Sequence, residues 1–210
     1  MLGRRRRPRV IAELPAPPQG KTASGALSAA ALEMLTALLG ELGDARAVLS
    51  TGGDGKSALA LGLATAAVAG GRRTVLVECD LAAPSLARQV GLEPAPGLHE
   101  YLGMEAEARQ ILQPLVLAGP GSAAARTPLT CIVGGRPAAD GIALLDSEGF
   151  AHAIGKLRSA YELVVVDGPS LGDPSLLAVA PFADRALAAA ASADLPRKPP
   201  IHIDGVVLAA

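Results

Sequence analysis

The sequence predicts an α/β fold of three layers, a mainly parallel sheet flanked by helices on both faces. Three observations carry that expectation. Short apolar runs of strand length alternate with helix-length Ala/Leu segments, one such run ends in a glycine-rich turn followed by Lys-Ser, and another ends in a single aspartate. Alternating strands and helices need right-handed crossovers, which leave the strands parallel with their carboxyl ends on one edge. Ligands in such sheets bind outside those carboxyl ends.

The elements follow in order. Residues 1–25 read as a basic, Pro-rich arm with one short apolar touch at Val10-Ile11-Ala12, and residues 26–210 as a single domain. An Ala/Leu-dense pattern predicts a helix from about Leu27 to Leu42, ended by Gly43. Ala47-Val48-Leu49 predicts a strand, Lys56 to Ala69 a helix closed by Gly70-Gly71, and Thr74 to Glu78 a second strand. The middle, with Pro84, Pro94 and Pro96, reads as several short helical pieces. Leu129 to Val133 is expected as a strand, Glu148 to Ser159 as a helix, and Leu163 to Asp167 as the clearest strand. A short helix from Leu176 is stopped by Pro181. Leu187 to Ala190 and Val206 to Leu208 signal two last strands more weakly.

Half of the 210 residues are hydrophobic but only 2% are aromatic, so the core is expected to consist of small aliphatic layers. The same scarcity of aromatics argues against a nucleic-acid partner held by base stacking. The net charge of −1 conceals an asymmetry, because Arg4, Arg5, Arg6, Arg7 and Arg9 crowd one end and the rest carries 14 basic against 20 acidic groups. That head is open to contact with anionic lipid or nucleic acid, or to simple solvation. Cys79 and Cys131 lie in apolar runs, far from metal-ligand spacing, and read as buried reduced thiols of a cytoplasmic protein. No run has the length of a membrane helix.

The strongest chemical signal is Ser50-Thr51-Gly52-Gly53-Asp54-Gly55-Lys56-Ser57, between a strand and a helix. Glycines let successive N–H groups turn inward as an anion nest, and the helix adds its positive end. Thr51 to Ser57 are the expected phosphate cradle of a P-loop that binds ATP, with Lys56 reaching the β- and γ-phosphates and Ser57 completing a Mg²⁺ shell. The strict motif has glycine where Ser50 stands, so the loop is of a variant type. Glu78-Cys79-Asp80 puts two carboxylates at a strand end, able to order a water on magnesium or accept a proton. Asp167 ends the Leu163 strand and is the expected second metal-holding element. Asp173 is either a fourth acid near the site or a helix cap. His99, His152 and His202 show no metal-ligand spacing.

Together these segments resemble the bacterial tyrosine kinases that govern capsule and exopolysaccharide chain length, relatives of the MinD/ParA ATPases. The resemblance covers Val10 to Pro15, Ser50 to Ser57, Glu78 to Leu86, Gly97-Leu98-His99-Glu100-Tyr101-Leu102-Gly103, Gly134-Gly135-Arg136-Pro137, and Tyr161 to Pro169. It implies ATP and Mg²⁺ as cofactors, Lys56 and Asp80 as catalytic groups, and Ser57, Asp80 and Asp167 as metal ligands. It further implies a membrane-embedded polysaccharide chain-length partner, a homo-oligomer, and a place at the inner membrane face. The sequence departs from the family pattern at three places: Glu33 is followed by Thr36 and Leu39 instead of arginines, Ala82 stands where an arginine is usual, and the only tyrosines are Tyr101 and Tyr161. Two alternatives follow from those departures, a catalytically silent nucleotide switch and a MinD/ParA-like positioning ATPase, the latter lacking its signature lysine at Thr51.

Overall fold

Runs of Val, Leu and Ala that are buried on both faces make the central strands, as in a sheet covered by helices on each side. The computed structural model describes residues 9–14, 27–116, 128–191, 196 and 198–209. Most of the basic arm therefore lies outside the described residues. The strands are β1 Val10–Leu14, β2 Ala47–Gly52, β3 Thr74–Glu78, β4 Gln113–Leu115, β5 Leu129–Ile132, β6 Leu163–Ser170, β7 Arg185–Ala190 and β8 Gly205–Ala209. They form one sheet in the order β1-β8-β7-β2-β6-β3-β5-β4. Every pairing is parallel except the edge pair β4–β5.

Helices α1 Ala29–Glu41 and α2 Lys56–Ala69 cover one face, where Leu35, Leu38, Leu59 and Leu63 pack on Val48, Leu76, Val165 and Leu187. Helix α3 Leu86–Val90 joins this face, with Leu86 and Val90 packed in the same cluster, and the other face holds α4 Leu98–Leu102, α5 Ala108–Ile111, α6 Gly141–Leu145, α7 Glu148–Ala160 and α8 Leu176–Val179 in chain order. There Phe150 and Ile154 pack on Leu49, Val77, Val164 and Val166. Val164 and Val166 face one layer and Val165 the other, the period-two alternation of a strand.

Two elements differ from the sequence expectation. Val10-Ile11-Ala12 is part of a full edge strand, β1, whose partner β8 lies almost two hundred residues on. Ile11 packs where Gly205 leaves room, since a Cβ on Gly205 would stand 2.1 Å from Ile11 Cδ1. Strand β4 carried no expectation of its own; Pro114 interrupts any strand signal and is tolerated because β4 is an edge.

Gly52 joins this sheet to the phosphate loop. It has φ 120°, and a Cβ there would meet the Ala189 carbonyl oxygen at 2.1 Å. Gly53, by contrast, has no atom within 4 Å of its Cβ position. Gly52→Ala is therefore expected to separate β2 from β7 and to lower the unfolding midpoint sharply or prevent folding, while Gly53→Ala leaves the midpoint within a few degrees. Thermal unfolding of the two variants, side by side, checks this.

Candidate functional site

Strands β2, β6 and β3 lie side by side, so parallel pairing brings the ends of all three to one edge. The register sets Ser50 beside Asp167, and Asp167 beside Glu78. Strand β2 then turns into α2 through Gly55, which has φ 90° and caps the helix in the left-handed region that glycine favours. This places the loop Gly52 to Ser57 over the ends of β6 and β3.

Lys56, Asp80 and Asp167 converge here. Lys56 Nζ lies 2.9 Å from an Asp80 carboxylate oxygen and 3.7 Å from Asp167 Oδ1. Burial works against the ammonium, but Asp167 and Asp80 together hold its pKa above the ordinary lysine value. Asp167 is fully buried, and neither of its oxygens has a hydrogen-bond partner. Burial pushes its pKa up to about 6 against the opposing pulls of Lys56 and of the Ser57 hydroxyl, which faces Asp167 without completing a hydrogen bond, and Glu78 and Asp80 add to the rise. A buried carboxylate left without donors is costly unless a cation answers it.

The loop is partly committed to its own scaffold. Ser50, standing in place of the usual glycine, donates its hydroxyl to the Lys56 carbonyl at 2.7 Å. The Thr51 hydroxyl donates to the Pro169 carbonyl at 2.6 Å, and the Gly53 N–H donates to the Ala189 carbonyl at 3.1 Å. The N–H groups of Asp54, Gly55 and Ser57 meet no protein acceptor among the described residues. Thr51 and Gly53 thus brace the loop, and the amides open to an anion cluster at the start of α2.

The Glu78 and Asp80 pair divides its work. Glu78 is buried and accepts from the N–H groups of Ser85 at 2.5 Å, Leu86 at 2.8 Å and Gly134 at 2.7 Å. With three backbone amides on its oxygens, Glu78 ties two loops together; of the pair, Asp80 alone forms an ion pair with the lysine. Asp173 accepts from the Ser175 N–H and hydroxyl, at 2.8 and 2.6 Å, and is a turn cap at the start of α8. Cys79 and Cys131 are buried and free, and burial pushes the Cys131 thiol up to about 12.

Sequence reasoning missed one cluster. The Gly97–Gly103 and Gly134–Pro137 segments dock on each other, with Leu98 and His99 N–H donating to the Val133 and Gly134 carbonyls at 2.8 and 2.9 Å. Buried Glu100 accepts from Gly97 N–H at 2.7 Å, Arg136 N–H at 3.0 Å and Arg136 Nε at 2.8 Å, while Arg136 also pairs with Glu105. Burial alone would raise the Glu100 pKa, but these donors bring it down to about 2. A Glu directly after an exposed-looking His gave no signal of this; only the long-range Arg136 contact does.

No family model and no curated protein matches the chain. Among solved structures it is similar to the VpsO kinase domain, at 22% identity over 86% of this chain and 92% of that one, with TM-score 0.71. It is also similar to the kinase domain of the Escherichia coli tyrosine kinase ETK, at 16% identity over 96% of this chain and 90% of that one, TM-score 0.76. The septum site-determining protein MinD of Pyrococcus horikoshii, complexed with Mg-ADP, matches at 17% identity over 68% of this chain and 56% of that one, TM-score 0.54. The chain has the α/β P-loop fold that bacterial tyrosine-kinase domains share with MinD ATPases.

Two outcomes follow for the nucleotide-free chain. Asp167 has a folded pKa above its unfolded one, so its relative stabilisation is complete below about pH 4 and is lost as pH rises through about 6. Asp167→Asn is expected to raise the unfolding midpoint at pH 7.5 by a few degrees and to change it little at pH 4.5. Glu100 behaves oppositely: its stabilisation is present above about pH 4.5 and is lost as pH falls toward 2. Glu100→Gln is expected to cost about 2 kcal/mol at pH 7 and to flatten the acid limb of the stability profile, as urea titrations across pH would register.

Proposed function

We propose that the chain is an ATP-binding, kinase-like P-loop protein that acts with a membrane-embedded partner in exopolysaccharide or capsule synthesis, on the cytoplasmic side of the membrane. The observation that carries the nucleotide reading is the orphaned Asp167 carboxylate beside Lys56, below a loop with open amides. A buried acid without donors fits a divalent cation, and Ser57 at the start of α2 and Asp167 are the residues to hold Mg²⁺, with Asp80 in its outer shell. Bound there, the metal would neutralise charge on the β- and γ-phosphates. The fold likeness to kinase domains and to a MinD solved with Mg-ADP supports the same reading.

In this reading the open amides of Asp54, Gly55 and Ser57 grip the phosphates, aided by the positive end of α2. Lys56 exchanges Asp80 for phosphate oxygens. Asp80, released from its ion pair, then accepts the proton of an attacking hydroxyl or water. One observation favours a second reading, a silent nucleotide switch: the only two tyrosines, Tyr101 in α4 and Tyr161 just after α7, are both half-buried and offer no ready acceptor. Such a switch would bind ATP, change shape or pairing, and gate its partner without phosphorylating it.

Incubation with ATP labelled on the γ-phosphate separates these readings, since label on protein marks a kinase, free phosphate an ATPase, and intact ATP a switch. Lys56→Ala is expected to weaken ATP binding at least about tenfold, and unchanged affinity would remove the site assignment. Asp80→Asn is expected to preserve binding while slowing turnover by roughly a hundredfold; equal rates would exclude it as the base.

A further inference from the structure

The parallel sheet sets three chain segments side by side next to the phosphate loop. Strands β6, β3 and β5 are neighbours, so the segments that leave their carboxyl ends adjoin one another. The turn after β3 carries Asp80, Leu81, Ala82 and Ala83. The segment after β5 leads through Asp140 into α6, and the one after β6 leads through Asp173 into α8. Their contact is direct. The Ala138 N–H donates to the Leu81 carbonyl at 2.9 Å, a Cβ on Gly141 would lie 3.1 Å from Leu81 Cβ, and α6 packs on α8.

This shelf combines exposed apolar side chains with uncompensated acids. Ile142 of α6 and Leu177 of α8 keep 50% and 57% of their surface exposed, and Ala82, Ala83 and Ala143 are exposed on the same segments. Residues 78–87, 137–151 and 163–183 hold Glu78, Asp80, Asp140, Asp146, Glu148, Asp167 and Asp173 but no lysine or arginine. Asp140 is exposed at the N-cap of α6 and makes no capping hydrogen bond. Two cations of this edge are committed elsewhere, Lys56 to Asp80 and Asp167, and Arg136 to Glu100 and Glu105. Asp80 is 15% exposed, whereas Asp167 and Glu78 are shut off from solvent. Of these three acids, Asp80 alone is open to a molecule lying on the shelf.

We propose that the shelf docks a polypeptide substrate in trans, a segment with apolar and basic side chains around an acceptor hydroxyl, and presents that hydroxyl to Asp80. The inference rests on the phosphoryl-transfer reading above and names the class of its substrate. Charge complementarity selects the occupant. Uncompensated carboxylates repel a nucleic acid, an anionic lipid head or a second nucleotide, and attract lysine and arginine. Ile142 and Leu177, on two packed helices, give the apolar side chains of the segment a surface to cover. Tyr101 and Tyr161 are half-buried, so the acceptor comes from another chain. In the transfer Asp80 takes the hydroxyl proton and the hydroxyl oxygen bonds to the γ-phosphorus. The bond from that phosphorus to the β,γ-bridging oxygen breaks, leaving ADP.

The test uses the full chain, Mg-ATP labelled on the γ-phosphate, and two fluorescein-tagged peptides of equal length. Each has a central tyrosine among leucines, and the remaining positions are lysine in one and glutamate in the other. Anisotropy is expected to show the lysine peptide bound at least about tenfold more tightly, with the preference shrinking at high salt. Ile142→Ser with Leu177→Ser is expected to weaken lysine-peptide binding about tenfold. Asp140→Asn with Asp173→Asn, which keeps residues that cap helices well, is expected to weaken it roughly fivefold. Both pairs leave ATP affinity unchanged, and label goes to the lysine peptide in preference to the glutamate one. Equal affinity for the two peptides overturns the proposal, as does lysine-peptide binding that neither pair of changes weakens. Lysine peptide that is held beside bound ATP yet stays unlabelled removes its role as acceptor. ATP affinity of the parent chain, measured in parallel, tells the two failures apart: its absence sinks the nucleotide reading, while ATP bound without peptide preference sinks only the docking.

Discussion

A single ammonium group shared by two carboxylates organises the working edge of this fold. Lys56 enters from the first turn of α2, Asp80 from the turn after β3, and Asp167 from the end of β6. Three elements remote in sequence are thereby drawn together over a sheet whose parallel strands end on the same side. The two carboxylates hold the lysine above its ordinary pKa, so its charge is well answered, whereas burial pushes Asp167 up to about 6 and leaves the acid the poorly served member of the cluster. Electrostatic dissatisfaction of this kind favours whatever brings further positive charge to the aspartate.

The other buried acids show the contrast. Glu78 and Glu100 are also shielded from solvent, yet each is filled by backbone amides or a guanidinium. Glu78 ties the turn after β3 to the turn after β5, and Glu100 ties α4 to the same turn through Arg136. The two form a chain of loop-to-loop anchors that runs from beside Asp167 to the outer strands. A rigid surround is what a site with one unsatisfied acid requires, since any slack would let solvent in and relax it.

How much of this was legible in the sequence depends on the range of the contact. The Val-rich strand into Asp167, the glycine turn into Lys56-Ser57 and the helix ended by Gly70-Gly71 are local signals, and the structure has those elements within a few residues of where they were read. The convergence of Lys56 with Asp80 and Asp167 was implied by parallel topology alone. What could not be read was long-range. Glu78 looked like a partner of Asp80 because alternation places them two apart, but β3 stops at Glu78 and the chain turns, sending the two carboxylates to different tasks. The bracing of Thr51 by Pro169 and of Gly53 by Ala189 depends on β6 and β7, which no motif around the loop announces. Strand β1 was faint for the same reason, being five residues whose justification lies almost two hundred residues away.

That distance shapes the order in which the sheet can be assembled. Pairing β1 with β8 closes nearly the whole chain into one loop, the most entropically demanding contact in the molecule, whereas β2, β3 and β6 meet after shorter closures. β8 should therefore acquire its outer neighbour late, and until then it offers a row of unpaired amides and carbonyls. During synthesis β1 emerges long before β8 exists to receive it, so the growing chain must carry an unmatched edge segment through most of its production. A nascent protein in that condition is a natural client for chaperones, and changes that strengthen the grip of Ile11 on the gap over Gly205 would shorten the time it spends exposed.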